Sequence, residues 1–228
     1  MSTGRETGIV PAGDDQLRMT ASLHVTELPH GLFPRLGEGF VRRWHRAHVA
    51  SPYGVVLVAT RGDEVIGFVL GTTDRPANVA WIISHRRWEL MATALGRLLT
   101  RPRVAFGFLR TRGLRYVRRL FGRGAAPARV AGKGDVPEAG FAPIAVLEAV
   151  VVAPEGRGEG VGTTLVEAFL GIVAAAGVER TELVTKAGAS GAAGFYERAG
   201  WHQVGSHVDR DGDRVLTFRI DPRFVRAR

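Results

Sequence analysis

Residues 152–165 read VAPEGRGEGVGTTL, and this stretch decides the fold. The run before it, IAVLEAVVVAP at residues 144–154, is apolar and β-branched and predicts a buried strand. The run after it predicts an amphipathic helix ending at Gly177, with an apolar stripe of Leu165, Phe169, Ile172 and Ala176. Glycines between a strand and a helix expose successive N–H groups at the helix start, which suits a pyrophosphate. Because 30 of the 228 residues are glycine, an ordinary strand-to-helix turn is the alternative.

The segments on either side of this motif predict an alternation of strands and helices. Upstream, two β-branched runs on either side of Gly62-Asp63 predict a β-hairpin. The other predicted elements are a strand at 17–28, a helix at 32–50, a strand at 181–185, a short helix at 192–199 and a closing antiparallel pair at 201–208 and 214–220. This order predicts an α/β fold in which helices cover both faces of a mixed sheet.

The length of the chain suits one domain that carries an insertion. We expect residues 1–16 to be a disordered tail, 17–221 a single domain and 222–228 a C-terminal tail. Cysteine is absent, which excludes disulfides, thiolate-metal sites and a cysteine nucleophile, and fits a reducing, cytoplasmic setting. The sequence suggests no metal site, and we expect His45 and His48 at the surface of the predicted helix.

The positive charge belongs to one segment of the chain. The net charge is +9, but the stretch from His85 to Gly124 holds 11 arginines and one acid, which is +10. The other 188 residues sum to 20 − 21 = −1. Residues 85–142 are therefore expected to form a basic helical insertion and a loop. Its role is open between a solvated helix face, a lid over an anionic acceptor and peripheral attachment to an anionic membrane surface. No nucleic-acid partner is expected, because no nucleic-acid motif accompanies the charge.

Three segments, in this order along the chain, resemble the GNAT superfamily of N-acetyltransferases. Asp63–Phe68 (DEVIGF) looks like the second hairpin of that family. Arg157–Gly162 (RGEGVG) fits its motif A, Arg/Gln-x-x-Gly-x-Gly/Ala, at every fixed position, and Val152-x-Pro154 fits as well. Gly194–Trp201 (GFYERAGW) resembles its motif B, FYxxxGF.

The resemblance, which covers Leu17–Asp74 and Ile144–Asp221, implies a mostly antiparallel sheet whose central parallel strands splay apart around acetyl-CoA. Carried over, these strands are Ala149–Ala153 and Glu182–Thr185, and the thioester carbonyl meets an amide near Val151 or Val152. The residues implied in cofactor binding are Val150, Val151, Val152, Arg157, Gly158, Glu159, Gly160, Val161, Gly162, Thr163, Ser190 and Tyr196. Many members make a pantetheine contact through an Asn at the position of Ala189; Ser190 is expected either to substitute for it as a donor or to cap the following helix.

Two side chains are candidates for proton transfer. Tyr196 matches the tyrosine that protonates the departing CoA thiolate in many members; alternatively, it packs a short helix against the sheet. Glu148 is a lone carboxylate in an apolar strand, where a number of members keep a base; alternatively, it is partly exposed or paired with an arginine. The resemblance implies acetyl transfer to a primary amine, and our first hypothesis is a small-molecule acceptor such as an amino sugar or a natural-product amine. The alternatives are a protein or peptide acceptor and a non-catalytic module that binds CoA, a polyanion or a membrane, with the oligomeric state left open.

Overall fold

The computed structural model describes residues 7–29, 32–100, 142–188, 192–209 and 212–223. Within these residues the strands are β1 (Thr7–Pro11), β2 (Gly54–Arg61), β3 (Glu64–Thr72), β4 (Ala145–Val152), β5 (Thr181–Lys186), β6 (His202–Val208) and β7 (Arg214–Ile220). The helices are α1 (Leu17–Glu27), α2 (Leu32–Arg35), α3 (Glu38–Ala50), α4 (Arg75–Thr100), α5 (Val161–Ala175) and α6 (Ala193–Arg198). The strands form one sheet in the order β1-β2-β3-β4-β5-β7-β6, in which only β4 and β5 are parallel neighbours among the described strands. This confirms the mixed, mostly antiparallel sheet expected from the sequence.

The two parallel strands separate soon after they meet. Residues 145–147 of β4 lie beside residues 181–183 of β5, and the pairing ends there. Further along, β4 pairs only with β3, and β5 pairs only with β7. At the point of separation Glu148 forms a β-bulge, because Leu70 of β3 pairs with Ala149 and Gly71 pairs with Leu147. A gap therefore opens along one edge of β4, between Glu148 and the loop that precedes α5.

The sheet buries a core on each face. On one face α5 packs through Leu165, Phe169 and Val173. On the other face, Leu17 of α1 packs with Phe68 of β3 and Val151 of β4. Two residues of the apolar stripe predicted for α5, Leu165 and Phe169, are buried as expected. The other two were wrong, since Ile172 is 39% exposed and Ala176 is exposed. The stripe that faces the sheet repeats every four residues from Leu165, with Val166 and Leu170 beside it.

Two predictions near the N-terminus were wrong. Residues 7–11, expected in a disordered tail, form β1, which pairs antiparallel with β2 from Thr7↔Arg61 to Pro11↔Leu57. Residues 17–28, expected as a strand, form helix α1. Leu17, Thr20 and Ala21 are its buried residues, and their spacing of three and four is helical. The burial pattern therefore overrides the β-branched residues that suggested a strand.

The predicted helix at 32–50 and the basic insertion are only partly as expected. Gly37, at a φ of 89°, separates α2 from α3. Helix α4 contacts α3 through an ion pair of 3.5 Å between Arg43 Nε and Glu89 Oε1. The rest of the predicted insertion, 101–141, lies outside the described residues. In the part of the chain that is described, no helix combines the length and the apolar character needed to cross a membrane.

Candidate active site

The loop before α5 presents a series of uncommitted amides. Arg157 N–H donates to the Pro154 carbonyl at 3.3 Å, and Thr164 N–H donates to the Gly160 carbonyl at 3.0 Å. Between them, the six N–H groups from Gly158 to Thr163 donate no hydrogen bond to any described residue. Gly158 and Gly160 both adopt a φ of 81°, which favours glycine and turns successive amides outward. With the helix N-terminus behind them, these amides can bind a phosphate anion.

The charged side chains of this loop are bound to neighbouring elements. Arg157 Nε donates to the Val152 carbonyl at 3.1 Å, and its Nη2 pairs with Glu27 of α1. Glu159 pairs with Arg61 of β2. These contacts fix the loop against α1 and the hairpin. Arg157 is therefore engaged in holding the loop, and the partner of Glu159 offsets its negative charge near the free amides.

The edge of β4 that faces the gap carries free main-chain groups. Ala153 N–H donates to the Ile66 carbonyl at 2.9 Å, so it points toward β3. Because main-chain groups alternate in direction along a strand, the N–H of Val151 also points toward β3. The N–H groups of Val150 and Val152 point toward the gap. Of the two amides suggested from the sequence, only that of Val152 therefore faces the gap. An extended ligand in the gap could pair with Val150 and Val152 in place of the missing strand.

Tyr196 lies in the core on the α5 side of the sheet. Its ring centroid is 5.8 Å from that of Trp201 and 6.2 Å from that of Phe218. Burial raises the pKa of its phenol well above the ordinary value. Its neighbour Phe195 is less buried than Tyr196. The hydroxyl makes no hydrogen bond to a described residue, and no contact joins Tyr196 to Glu148 among the interactions of these residues.

Glu148 lies at the bulge of β4, next to a buried histidine. Its side chain is 23% exposed, yet the residue as a whole is exposed, so much of the exposed surface belongs to its main chain at the gap. Its Oε2 is 3.4 Å from Nε2 of His48, at an angle that does not make a hydrogen bond. His48 Nδ1 is 3.1 Å from the Trp44 carbonyl, which can only accept, so Nδ1 carries the hydrogen. In the neutral ring, Nε2 of His48 therefore turns a lone pair toward the carboxylate.

The histidines expected at the surface are buried. His45 and His48 are both 0% exposed, on the face of α3 that carries Phe40 and Val41. His45 Nδ1 is 3.0 Å from the hydroxyl of Thr20, and His45 Nε2 is 2.9 Å from Nδ1 of His24 on α1. The sequence contained a signal for this arrangement, because His45 and His48 follow Val41 at i+4 and i+7, positions of a helical stripe that faces the core.

The other predicted site residues are only partly described. Val161 is buried at the start of α5. A Cβ added at Gly162 would lie 3.7 Å from the Phe195 ring. Thr163 is exposed. Ser190 and the preceding Ala189 lie outside the described residues. Within those residues, no group of three or more His, Cys, Asp or Glu side chains could hold a metal ion.

Comparisons with known proteins agree with this geometry. The model of the acetyltransferase (GNAT) family matches residues 124–201, about a third of the chain. No curated protein sequence matches the chain. The match spans the loop of free amides and the segment around Tyr196. Together with the folds described next, it confirms the GNAT resemblance.

Several solved structures share the fold over nearly the whole chain. A structure from Corynebacterium glutamicum, described as histone acetyltransferase HPA2 and related acetyltransferase, is 21% identical, with a TM-score of 0.52 over 95% of this chain and 96% of that one. A chimera of spermidine N-acetyltransferase from Vibrio cholerae and hSSAT is 14% identical, with a TM-score of 0.57 over 97% and 99%. The ribosomal-protein-S18-alanine N-acetyltransferase of Escherichia coli is 13% identical, with a TM-score of 0.51 over 95% and 94%. These likenesses establish a GNAT acetyltransferase fold.

Proposed function

We propose that this chain transfers an acetyl group from acetyl-CoA to a primary amine by direct attack of the nitrogen on the thioester. One observation carries the proposal: the gap that opens between β4 and β5 leads directly to a loop of six free amides. The pyrophosphate of CoA would bind at Gly158–Thr163. Pantetheine would extend along β4 and pair with Val150 and Val152, which places the thioester near Glu148 at the bulge.

The residues around this gap supply the groups that the reaction needs. Because the thioester lies beyond Val152 in this pose, the gap-facing Val150 amide donates to its carbonyl, where negative charge develops as the tetrahedral adduct forms. Glu148, backed by His48, takes a proton from the acceptor ammonium. The nitrogen then bonds to the carbonyl carbon, the carbon–sulfur bond breaks, and the thiolate takes the proton of Tyr196. Burial keeps that phenol protonated, but Tyr196 must approach the sulfur when the cofactor binds.

We propose a small-molecule amine, such as an amino sugar or a natural-product amine, as the acceptor, with a protein or peptide as the alternative. The structural neighbours include acetyltransferases of both kinds, a spermidine enzyme and a ribosomal-protein enzyme. The carboxylate of Glu148 on the acceptor side of the gap attracts an ammonium group. The basic segment 85–142 would bind an anionic part of the acceptor or an anionic membrane surface.

A non-catalytic CoA-binding module is the candidate from another class. The ion pairs that fix the loop and the free amides would serve such a module equally well. A module has no use for a carboxylate beside a buried histidine at the thioester end of the gap. That cluster favours the enzyme.

Two measurements with the purified chain test the proposal. Calorimetry with acetyl-CoA should give saturable binding. Thiol release should then be followed with spermidine, glucosamine, phenethylamine and a peptide with an N-terminal alanine. The expected result is an acetylated amine and free CoA in equal amounts for at least one of these amines. Binding of acetyl-CoA without thiol release in the presence of any of these amines would support the non-catalytic module. Absence of binding would exclude both the acetyltransferase and the module.

A further inference from the structure

An ammonium nitrogen must lose two protons on its way to an amide. The first leaves before attack, because a protonated amine has no lone pair to attack with. The second leaves after the carbon–nitrogen bond has formed, when the nitrogen of the adduct carries a positive charge. If Glu148 takes the first proton, the site needs another acceptor for the second.

The hydrogen bonds among Thr20, His45 and His24 have one direction in which all of them are made. The Leu17 carbonyl can only accept, so the Thr20 hydroxyl, 3.2 Å away, donates to it. The His45 Nδ1–H then donates to the Thr20 oxygen, which leaves His45 Nε2 with a lone pair. That lone pair accepts from His24 Nδ1–H at 2.9 Å. In this arrangement His24 Nε2 bears no hydrogen, and it has no hydrogen-bond partner among the described residues.

The chain of hydrogen bonds ends on the face of the sheet that α1 and α3 cover, the face on which His48 contacts Glu148. His24 is partly exposed, whereas Thr20 and His45 are 0% exposed. The groups that face the His24 ring are His45 from α3, Phe68 from β3 at 5.8 Å between centroids, and Glu148 from β4, whose charge acts on the imidazole. His24 and Glu148 therefore lie on the same face of the sheet, where α3 places His45 beside one and His48 beside the other, and each presents a hydrogen-bond acceptor.

We propose that His24 Nε2 is the second proton acceptor of the acetyl transfer, and that His45 and Thr20 are positioning residues that hold its tautomer. The inference rests on the proposed function. Glu148 takes the first proton from the ammonium, and the free amine bonds to the thioester carbon. His24 Nε2 takes the second proton from the adduct nitrogen, the carbon–sulfur bond breaks, and Tyr196 protonates the thiolate. The transfer releases one proton overall, which His24 or Glu148 returns to solvent, and the other restores Tyr196.

The electrostatic environment of His24 suits this step. Burial lowers its pKa from the ordinary 6.5 to about 4, partly offset by the charge of Glu148. Burial likewise lowers the pKa of His45, and the neighbouring His24 and His48 lower it further. Both rings are therefore neutral near pH 7, and Nε2 of His24 is always ready to accept. A weak base suffices, because the nitrogen of a tetrahedral adduct is more acidic than a free ammonium.

The tautomer of His24 tests the positioning half of the inference without any acceptor. Long-range ¹⁵N–¹H spectra of the full chain with ¹⁵N-labelled histidine would identify His24 by its loss in His24→Asn. We expect hydrogen on Nδ1 and none on Nε2 at pH 7. Thr20→Val should give a mixture of the two tautomers, and Thr20→Ser, which keeps the hydroxyl, should restore a single one. Hydrogen on Nε2 in the wild type, or a tautomer unchanged by Thr20→Val in a folded chain, would overturn the inference.

The kinetics of His24→Asn test the catalytic half. Asparagine keeps a polar group of similar size but cannot take a proton, so turnover of the best amine in the panel should fall roughly 100-fold. The dissociation constant of acetyl-CoA should not change. His202→Asn, at an exposed position of β6, is the matched control and should retain the wild-type rate. A His24→Asn rate within about twofold of wild type would remove His24 from the reaction. A wild type that acetylates no amine would instead refute the proposed function. The ¹⁵N–¹H spectra would then still test the hydrogen-bond arrangement of Thr20, His45 and His24.

Discussion

The Tyr196 hydroxyl keeps its proton throughout the ordinary pH range, because burial beside Trp201 and Phe218 raises its pKa. A raised pKa favours the neutral phenol, so the group can donate at every pH at which the fold is stable. The same burial places the ring among core residues. Its proposed role as an acid and its role in packing are therefore compatible.

Tyr196→Phe should separate these two roles. Phenylalanine preserves the packing against Trp201 and Phe218 and removes only the proton donor. Turnover should fall roughly ten- to a thousand-fold, with little change in acetyl-CoA affinity. Tyr53→Phe, at an exposed tyrosine, is the matched control. Steady-state kinetics with both variants decide the question, and an unchanged rate in Tyr196→Phe would leave Tyr196 with packing alone.

Glu148→Gln should chiefly lower the rate at low pH. The free amine is scarce there, so the reaction depends most on a group that removes the proton of the ammonium. The loss should shrink as pH rises and the free amine becomes abundant. Glu179→Gln, an exposed carboxylate paired with Arg223, is the control. A pH–rate profile of Glu148→Gln that parallels the wild type would show that Glu148 does not act as a base.

Single residues also show where sequence reasoning failed. The loop glycines and Glu148 could be proposed as site residues because the strand and helix on either side of the loop are marked in the sequence itself. His24, His45 and Thr20 could not be linked in this way, since they come together only when α1 and α3 pack on the same face of the sheet. The burial of His45 was nevertheless predictable from the apolar stripe of α3 on which it lies.

Among the elements, β4 depends on a glycine in its neighbour. A Cβ at Gly71 of β3 would come within 2.5 Å of the Val146 carbonyl oxygen and 2.7 Å of the Phe169 ring. Gly71 stands opposite the bulge at which β4 leaves β5. The close approach of β3, β4 and α5 at this point therefore requires a residue without a side chain.

Gly71→Ala should destabilise the fold by roughly 1 to 3 kcal/mol, as expected for overpacking of a core. Denaturant unfolding gives the free energy directly. Gly205→Ala, in edge strand β6 with no atom within 4 Å of the added Cβ, is the control and should change stability by less than about 1 kcal/mol. Equal stabilities for the two variants would contradict the close approach at Gly71.

The elements that the sequence predicted best carry their signal locally. The hairpin β2–β3, strand β4 and the start of α5 are defined by their own runs and by the glycines between them. Strand β1 has no such run, and it exists because the edge of β2 offers it hydrogen bonds. Helix α1 was mistaken for a strand because Thr and Val residues favour strands, while its core contacts come from distant strands.

For the whole molecule, we propose that the basic segment acts on the acceptor and that other parts of the chain bind the cofactor. All the excess positive charge lies between His85 and Gly124, and the loop of free amides is formed by other parts of the chain. Exchanging Arg115, Arg118 and Arg119 for Gln should leave the acetyl-CoA dissociation constant nearly unchanged. It should weaken binding to anionic vesicles or to an anionic acceptor, and flatten the salt dependence of that binding.

A control triple at exposed arginines outside the segment, Arg18, Arg198 and Arg214, should change neither property. Vesicle sedimentation at several salt concentrations and calorimetry with acetyl-CoA give the two readouts. Loss of acetyl-CoA affinity in the first triple would assign the segment to the phosphates of CoA. No effect on either property would make it a solvated surface.

The central claim is that the loop 158–163 and the gap edge of β4 form an acetyl-CoA site. Amide ¹H–¹⁵N spectra of the chain, titrated with acetyl-CoA, test it most directly. The largest shifts are expected at Gly158–Thr163, Val150 and Val152. Binding should be weaker in Thr163→Glu, whose charge repels the pyrophosphate, than in the neutral control Thr163→Gln. Saturation by acetyl-CoA without shifts at these amides, or equal affinity of the two Thr163 variants, would contradict it.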